Sequence, residues 1–412
     1  MWPKLLPLLH CPACHEPLAG WTLDAPSSPS TIDPAADNWI DSGLLSCASC
    51  KTWFPVVHGV PILLPYGTAA HAEFAREHDK ALASLVPDYQ SASGRPVRGE
   101  DLVMRSFSVE WLEYDFDGVI WEMDYDDHER RFLTELGSYA PQKGSSGRFL
   151  EIGCGLGITT AMAQRNFGGE AVGVDLSLAA WRAAATHREN RSVHFVQASV
   201  FALPFQTETF DTIYTRGVLH HTYSTRKAYR ALAPLCQRGG SLYVWVYGPK
   251  SINDNLFRRS VYATELVMRF VLNRCPAWIS PLALAPFALS YMVFNRLRQR
   301  ANPRIQPYNY TRALHAARDR FTPEFAHRHS AQEVCEWFRE AGFGELEVVD
   351  WRTMPSADHD DYRRNTGIRG RRLPVAETSI RGTTRAGPGQ HSPHVTASRA
   401  RVTPCLNHPE SH

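Results

Sequence analysis

Residues 149–160 read Phe-Leu-Glu-Ile-Gly-Cys-Gly-Leu-Gly-Ile-Thr-Thr. A short apolar run carries an acidic residue near its end, Glu151. Glycines then alternate at Gly153, Gly155 and Gly157, and a helix-compatible stretch follows from Ile158 to Arg165. This is the pattern of a strand, a tight turn and a helix start. Glycine accepts positive φ and lets a ligand lie against bare backbone. The spacing is not the dinucleotide fingerprint G-x-G-x-x-G, because Ile158 stands in the last glycine's place. A carboxylate two residues before the first glycine disfavours a pyrophosphate. It suits a cation, such as the amino group of an amino acid.

Working outward, Ala171-Val-Gly-Val-Asp175 is a second apolar run, and its terminal Asp175 lies 18 residues beyond Gly157. A carboxylate there is placed to accept both hydroxyls of a ribose. Further strands are read at Val193–Gln197, Phe210–Thr215 and Ser241–Tyr247, separated by helical segments. Such alternation predicts an α/β fold, a doubly wound parallel sheet with helices on both faces. Ligands bind at the carboxyl ends of such strands, where Glu151, Asp175, Ser199 and His220 fall. Asp211 is expected to be structural.

The ordered set Glu-Ile-Gly-Cys-Gly-Leu-Gly, Val-Gly-Val-Asp, Ala-Leu-Pro-Phe (202–205), Phe-Asp-Thr-Ile-Tyr and Gly-Val-Leu-His-His resembles the motifs of class I S-adenosyl-L-methionine (SAM)-dependent methyltransferases, closest to the small-molecule type 11 group. The resemblance covers 146–248 well and 330–351 more loosely. It implies a Rossmann-like sheet with SAM as cofactor. Gly153, Gly155 and Gly157 would face the methionine part, and Asp175 would hold the ribose. The Gln197–Val200 turn, with Ser199 and Val200, would flank the adenine. Ser199 departs from the family, which often has an acidic residue there to bond the adenine amine.

Cys11-Pro-Ala-Cys14 and Cys47-Ala-Ser-Cys50 are two C-x-x-C knuckles. Two such pairs make a closed four-thiolate site, expected to hold one structural zinc through Cys11, Cys14, Cys47 and Cys50. The 32 residues between the knuckles exceed the usual ribbon spacing, and the excess is a Pro/Ser-rich loop from Ala25. The surrounding text resembles the small zinc-ribbon module that activates certain tRNA and protein methyltransferases. That implies either support of the catalytic domain or recruitment of a partner.

With net charge +2 there is no global basic field, and nucleic acid is not expected as a partner. The opening Leu5–Leu9 run is too short for a secretory leader, so a cytoplasmic location is expected. The chain divides as a ribbon at 1–66, a helical, cofactor-covering segment at 67–140 and a SAM-binding core at 141–248. A cap insertion follows at 249–329, then a helix and strand completing the core at 330–352 and a largely disordered tail at 353–412, clearest from 375 onward. In the second segment Phe107-Ser-Val-Glu-Trp111 resembles a stretch preceding the catalytic domain in some zinc-ribbon methyltransferases. From Cys275 to Asn295 there is no charged residue, but Pro276, Pro281 and Pro286 should break that run into short pieces. A helical cap with an apolar underside is expected. The alternative is shallow insertion at a membrane surface through 260–300. Either suggests an acceptor with apolar character.

Candidate groups for chemistry are His220 or His221 as a base and Arg216 as a binder of substrate carboxylate or phosphate, with a surface salt bridge as the alternative for Arg216. The Asn/Asp-Pro-Pro-aromatic motif of amine-methylating nucleic-acid enzymes is absent. The leading reading is a methyltransferase acting on a small molecule or a glycan or lipid intermediate. The alternatives are a methyltransferase-like regulatory protein whose ribbon recruits a partner, and a nicotinamide oxidoreductase, which the glycine spacing disfavours.

Overall fold

The computed structural model describes residues 1–25, 29–113, 118–120, 122–249, 256–272 and 279–374. In the N-terminal part, β1 (Ala19–Thr22), β2 (Gly43–Cys47), β3 (Thr52–Val57) and β4 (Val60–Leu63) form an antiparallel meander. The β3–β4 hairpin turns at His58 and Gly59, both at positive φ, as a two-residue hairpin requires. After helix α1 (Glu100–Glu113) and helix α2 (Tyr125–Leu136) comes the central sheet. It is built from β5 (Arg148–Ile152), β6 (Glu170–Asp175), β7 (Val193–Ala198), β8 (Phe210–Arg216) and β9 (Cys236–Val246), with α3 (Ile158–Phe167), α4 (Ala179–Thr186) and α5 (Thr225–Leu232) between them.

The central strands run parallel in the order β7-β6-β5-β8-β9, with Glu151 beside Gly173 and Asp175 beside Gln197. All six residues of β7 are buried, as befits a parallel strand covered on both faces. Asp211 accepts a hydrogen bond from the Arg148 amide at 2.7 Å, tying the starts of β5 and β8 together.

β4 pairs parallel with β7 through Gln197–Ile62 and Ala198–Leu63, so the N-terminal meander extends the central sheet. One buried cluster joins Leu5, Leu45 and Phe54 to Leu150, Val174 and Val196. Residues 1–66 therefore share a core with the central sheet.

On the far side, the returning strand expected around Glu345–Trp351 is β10 (Phe343–Val348), after the helix at Ala331–Glu340, where Ser330 caps by accepting the Glu333 amide. β10 does not pair with β9. Between them lies β11 (Thr366–Arg372), antiparallel to both. This corrects the reading of 353–374 as part of a disordered tail. The arginine-rich text of β11 is tolerated because its side chains reach fixed acceptors: Arg369 bonds Glu347 and the carbonyls of Thr134 and Glu135. The reading of 375–412 as disordered falls outside the described residues.

The insertion after β9 contains helices at Leu256–Leu272, Ile279–Ala301 and Tyr310–Phe321. Contrary to expectation, Pro286 does not break the second of these. The carbonyl it leaves unbonded belongs to Leu282, which is exposed, so water can satisfy it. Leu272 and Leu284 pack with Ala317 and Phe321, joining the three helices. Among the described residues no helix is long and apolar enough to cross a membrane.

Candidate active site

The carboxyl ends of β5, β6 and β8 open into a chamber of about 1930 Å³, roofed by α1 and by the insertion helices. The glycine turn forms one wall. Gly153, Gly155 and Gly157 all have positive φ, but they serve different ends. A Cβ on Gly153 would come within 2.1 Å of Val218, and one on Gly157 within 2.4 Å of Phe195. Those two glycines make room for the protein's own side chains. Gly155 faces the chamber, its nearest neighbour being the Trp111 indole of α1, 3.4 Å from where a Cβ would stand. Helix α1 is tied down over the turn by Ser108, which accepts the Leu178 amide at 3.0 Å, and by Arg182, which donates to the Trp111 carbonyl at 2.9 Å.

Glu151 is buried on the chamber wall and accepts from the Thr160 hydroxyl at 2.5 Å. Burial pushes its carboxyl up to about 8, against the Thr160 and Thr159 hydroxyls, which pull it down. In the free protein at neutral pH it is mostly protonated, whereas binding a cationic amino group requires it ionised. Ligand binding should therefore expel a proton. Affinity for an amino-acid-bearing cofactor should be full above about 8 and fall as the pH drops below it, by roughly tenfold per unit. Calorimetry in buffers of different ionisation enthalpy measures the released proton, and Glu151→Gln should abolish both release and slope. Equal affinity at about pH 6 and pH 8 contradicts this role.

Asp175 is also buried. Its Oδ2 accepts the Gly155 amide at 2.9 Å, and its Oδ1 accepts the Ser177 amide at 2.8 Å and hydroxyl at 2.7 Å. Burial raises its carboxyl while these bonds lower it. A carboxylate has roughly four acceptor positions, and three are taken by the protein. The geometry leaves room for one strong ribose hydroxyl bond rather than two.

Ser199 does not reach the chamber; Val200 does. The Ser199 hydroxyl donates to Glu100 of α1 and accepts the Phe201 amide at 3.1 Å. Glu100 lines the chamber, so a carboxylate stands beside Ser199, where the resemblance would place an acidic residue. Burial raises the Glu100 carboxyl and the Ser199 bond lowers it.

The three residues read as candidates for chemistry separate. His220 is fully buried, its ring against Tyr247 at 3.9 Å between centroids, and neither ring nitrogen has a hydrogen-bond partner among the described residues. It is absent from the chamber wall. His221 lines the chamber, with Nδ1 at 2.8 Å from the Phe325 carbonyl, which fixes the tautomer. Burial and the nearby Arg269 push its ring down to about 3. Arg216 donates to Glu135 at 2.9 Å and to Asp361 at 2.8 Å, and lies over the Trp245 ring. These pairs are inside the protein rather than on its surface, and they occupy much of the guanidinium. A residue not singled out in the sequence, Asp319, also lines the chamber and accepts from the Tyr247 hydroxyl at 3.4 Å. Burial pushes its carboxyl up, while Arg269 and Tyr247 pull it down.

At the other end of the molecule, the sulfurs of Cys11, Cys14, Cys47 and Cys50 all lie within 4.8 Å of one another. A tetrahedral zinc with bonds of about 2.3 Å needs sulfur–sulfur edges near 3.8 Å. The pairs Cys11–Cys50 and Cys14–Cys47 are at 3.4 Å and Cys14–Cys50 at 3.7 Å, so the cluster is compatible with zinc.

Residues 150–244 match the family described as Methyltransferase domain, and residues 3–59 match the family described as Trm112p-like protein. The match to a methyltransferase domain thus falls on the glycine turn and the central strands. The stretch similar to Trm112p-like proteins precedes it in the same polypeptide. Over 114 residues the chain is 37% identical to an uncharacterized protein of Synechococcus sp., covering 26% of this chain and 27% of that protein. Over 99 residues it is 35% identical to demethylmenaquinone methyltransferase of Roseiflexus castenholzii, covering 24% of this chain and 42% of that protein. The chain thus spans between about a quarter and a half of the length of these relatives. Among solved structures, a complex between the Haloferax volcanii Trm112 methyltransferase activator and a methyltransferase aligns with TM-score 0.37 and 14% identity, covering 60% of this chain and 91% of that one. A Haemonchus contortus phosphoethanolamine N-methyltransferase 2 in complex with S-adenosyl-L-methionine aligns with TM-score 0.41 and 14% identity, covering 68% and 61%.

Proposed function

We propose that the protein transfers a methyl group from SAM to a small amphipathic acceptor held beneath the insertion helices. The observation that carries this reading is the chamber. Its volume of about 1930 Å³ is roughly twice the upper range for a single small-molecule site, so a cofactor and a second molecule fit together. The relative named demethylmenaquinone methyltransferase supports a small-molecule acceptor.

The chamber has two chemically distinct ends. Glu100, Glu151 and Asp175 gather three carboxyl groups at the glycine-turn end. That end suits a cofactor bearing an amino group and a sulfonium, and SAM supplies an electrophilic methyl on that sulfonium. In the proposed roles Glu151 holds the amino group, Asp175 the ribose, and Glu100 with Val200 the adenine edge. The insertion end combines the aromatic rings of Phe287 and Tyr291 with Arg328, whose carboxylate partner among the described residues, Glu265, is 3.7 Å away. That combination fits an acceptor with an apolar body and an anionic group. Holding nucleophile and methyl in line supplies most of the rate. Where the acceptor carries a proton, Asp319 with Tyr247 is better placed to take it than His221, because the imidazole's basicity is suppressed.

The test is a pair of variants measured for turnover and for S-adenosylhomocysteine affinity. Asp319→Asn should lower kcat by about 10²-fold or more with cofactor affinity nearly unchanged, and His221→Gln should cost much less. The reverse ranking would assign the proton to His221.

A further inference from the structure

We propose that the outer face of the insertion helices docks on an anionic lipid bilayer, with the mouth of the chamber turned toward the lipid. The docking itself is independent of the acceptor proposed above, and delivery of a lipid-resident acceptor rests on that reading. Among the described residues twelve large hydrophobic side chains are exposed, and nine of them lie on Leu256–Leu272 and Ile279–Ala301. On the first helix these include Leu266 and Val267, each more than 60% exposed. On the second, Leu282, Leu289, Val293 and Leu297 recur at helical spacing on the side opposite the buried Leu284 and Ala288. The inward faces are already spent on the packing with Ala317 and Phe321, so this outward apolar surface does not stabilise the fold. A surface of this size on one structural unit marks a contact with something apolar.

Charge selects the occupant. From Leu266 to Arg318 the sequence contains no Asp or Glu. Arg296 and Arg300 flank Leu297 and are exposed, as is Arg304 just beyond the helix. An apolar face flanked by the exposed cations Arg296, Arg300 and Arg304 is complementary to anionic headgroups above acyl chains. Against a second copy of the same face, the like charges would repel. No described helix is long and apolar enough to span, which matches a shallow contact. The chamber connects to this face: Phe294 is 57% exposed and also lines the chamber, so a molecule leaving the headgroup region would meet the mouth directly.

Flotation with phosphatidylcholine vesicles containing about a third phosphatidylglycerol, against pure phosphatidylcholine, tests the proposal. The zinc-loaded full chain should float with the anionic vesicles, weakly or not at all with the neutral ones, and should be released by high salt. Leu289→Glu combined with Val293→Glu, and separately Arg296→Glu with Arg300→Glu, should weaken binding by roughly tenfold or more. Affinity for S-adenosylhomocysteine should not change, because none of the four residues lines the chamber. Absence of enrichment on anionic vesicles overturns the proposal. So does equal binding by the variants, or light scattering that shows a wild-type dimer becoming monomeric in the Leu289/Val293 variant. Loss of turnover with vesicle binding intact would instead count against the acceptor reading alone.

Discussion

Cys47→Ser, or stripping the metal with a strong chelator, should unfold the protein as a whole rather than its first 66 residues alone. A freestanding ribbon would lose only its own order, since structural zinc supplies the folding energy of the module it holds. Here that module is not freestanding. β4 hydrogen-bonds to β7, and the Leu5, Leu45 and Phe54 side chains share a core with Leu150, Val174 and Val196. Losing the meander exposes both that core surface and the backbone edge of β7, a template for aggregation. The energies point the same way. Structural zinc contributes about 10–16 kcal/mol in isolated finger peptides, comparable to the entire stability of a typical domain, about 5–15 kcal/mol. A single, cooperative melting transition that falls steeply on metal removal, with S-adenosylhomocysteine binding lost alongside, is the expected result. A chelated protein that keeps its cofactor affinity and its main transition would show that the two parts fold independently.

Asp175→Ala should be the most damaging change at the cofactor end that leaves the sheet intact. The carboxylate is the junction of the site: it fixes the Gly155 amide, the Ser177 amide and the Ser177 hydroxyl, with one acceptor position left for a ligand. Losing a charge-assisted bond costs roughly 1.5–3 kcal/mol, or about ten- to over a hundredfold in affinity. Loosening the turn adds to that. Asp175→Asn keeps the shape and part of the hydrogen bonding, and should fall between wild type and alanine. Melting curves separate this from global damage, because the affected groups lie at a chamber wall and not in the core.

Legibility in the sequence followed the range of the interactions. The β5–α3 turn and Asp175 are local: a strand, a turn and the next strand end are written within some 25 residues, and each needs a particular residue type. The four cysteines were legible as a cluster because two C-x-x-C knuckles are a pattern that brings four sulfurs together. Glu100 was not, since nothing in its own neighbourhood tells that α1 folds back onto Ser199, 99 residues on. Asp319 belongs to an insertion helix whose pattern reveals one apolar side and not which loop it covers. β11 was read as tail because Thr-Gly-Ile-Arg-Gly-Arg-Arg lacks the apolar run expected of an interior strand, and its burial depends on distant carbonyls and Glu347. His220 shows the opposite failure. Its place after β8 suggested chemistry, but its ring turned inward against Tyr247.

The most direct test of the central claim is titration calorimetry of the zinc-loaded wild-type chain with S-adenosylhomocysteine. The chamber geometry predicts one site per chain, weakened in Asp175→Ala by about tenfold or more. No binding of S-adenosylhomocysteine or SAM to a demonstrably folded wild type, or binding of NAD in their place, would contradict it.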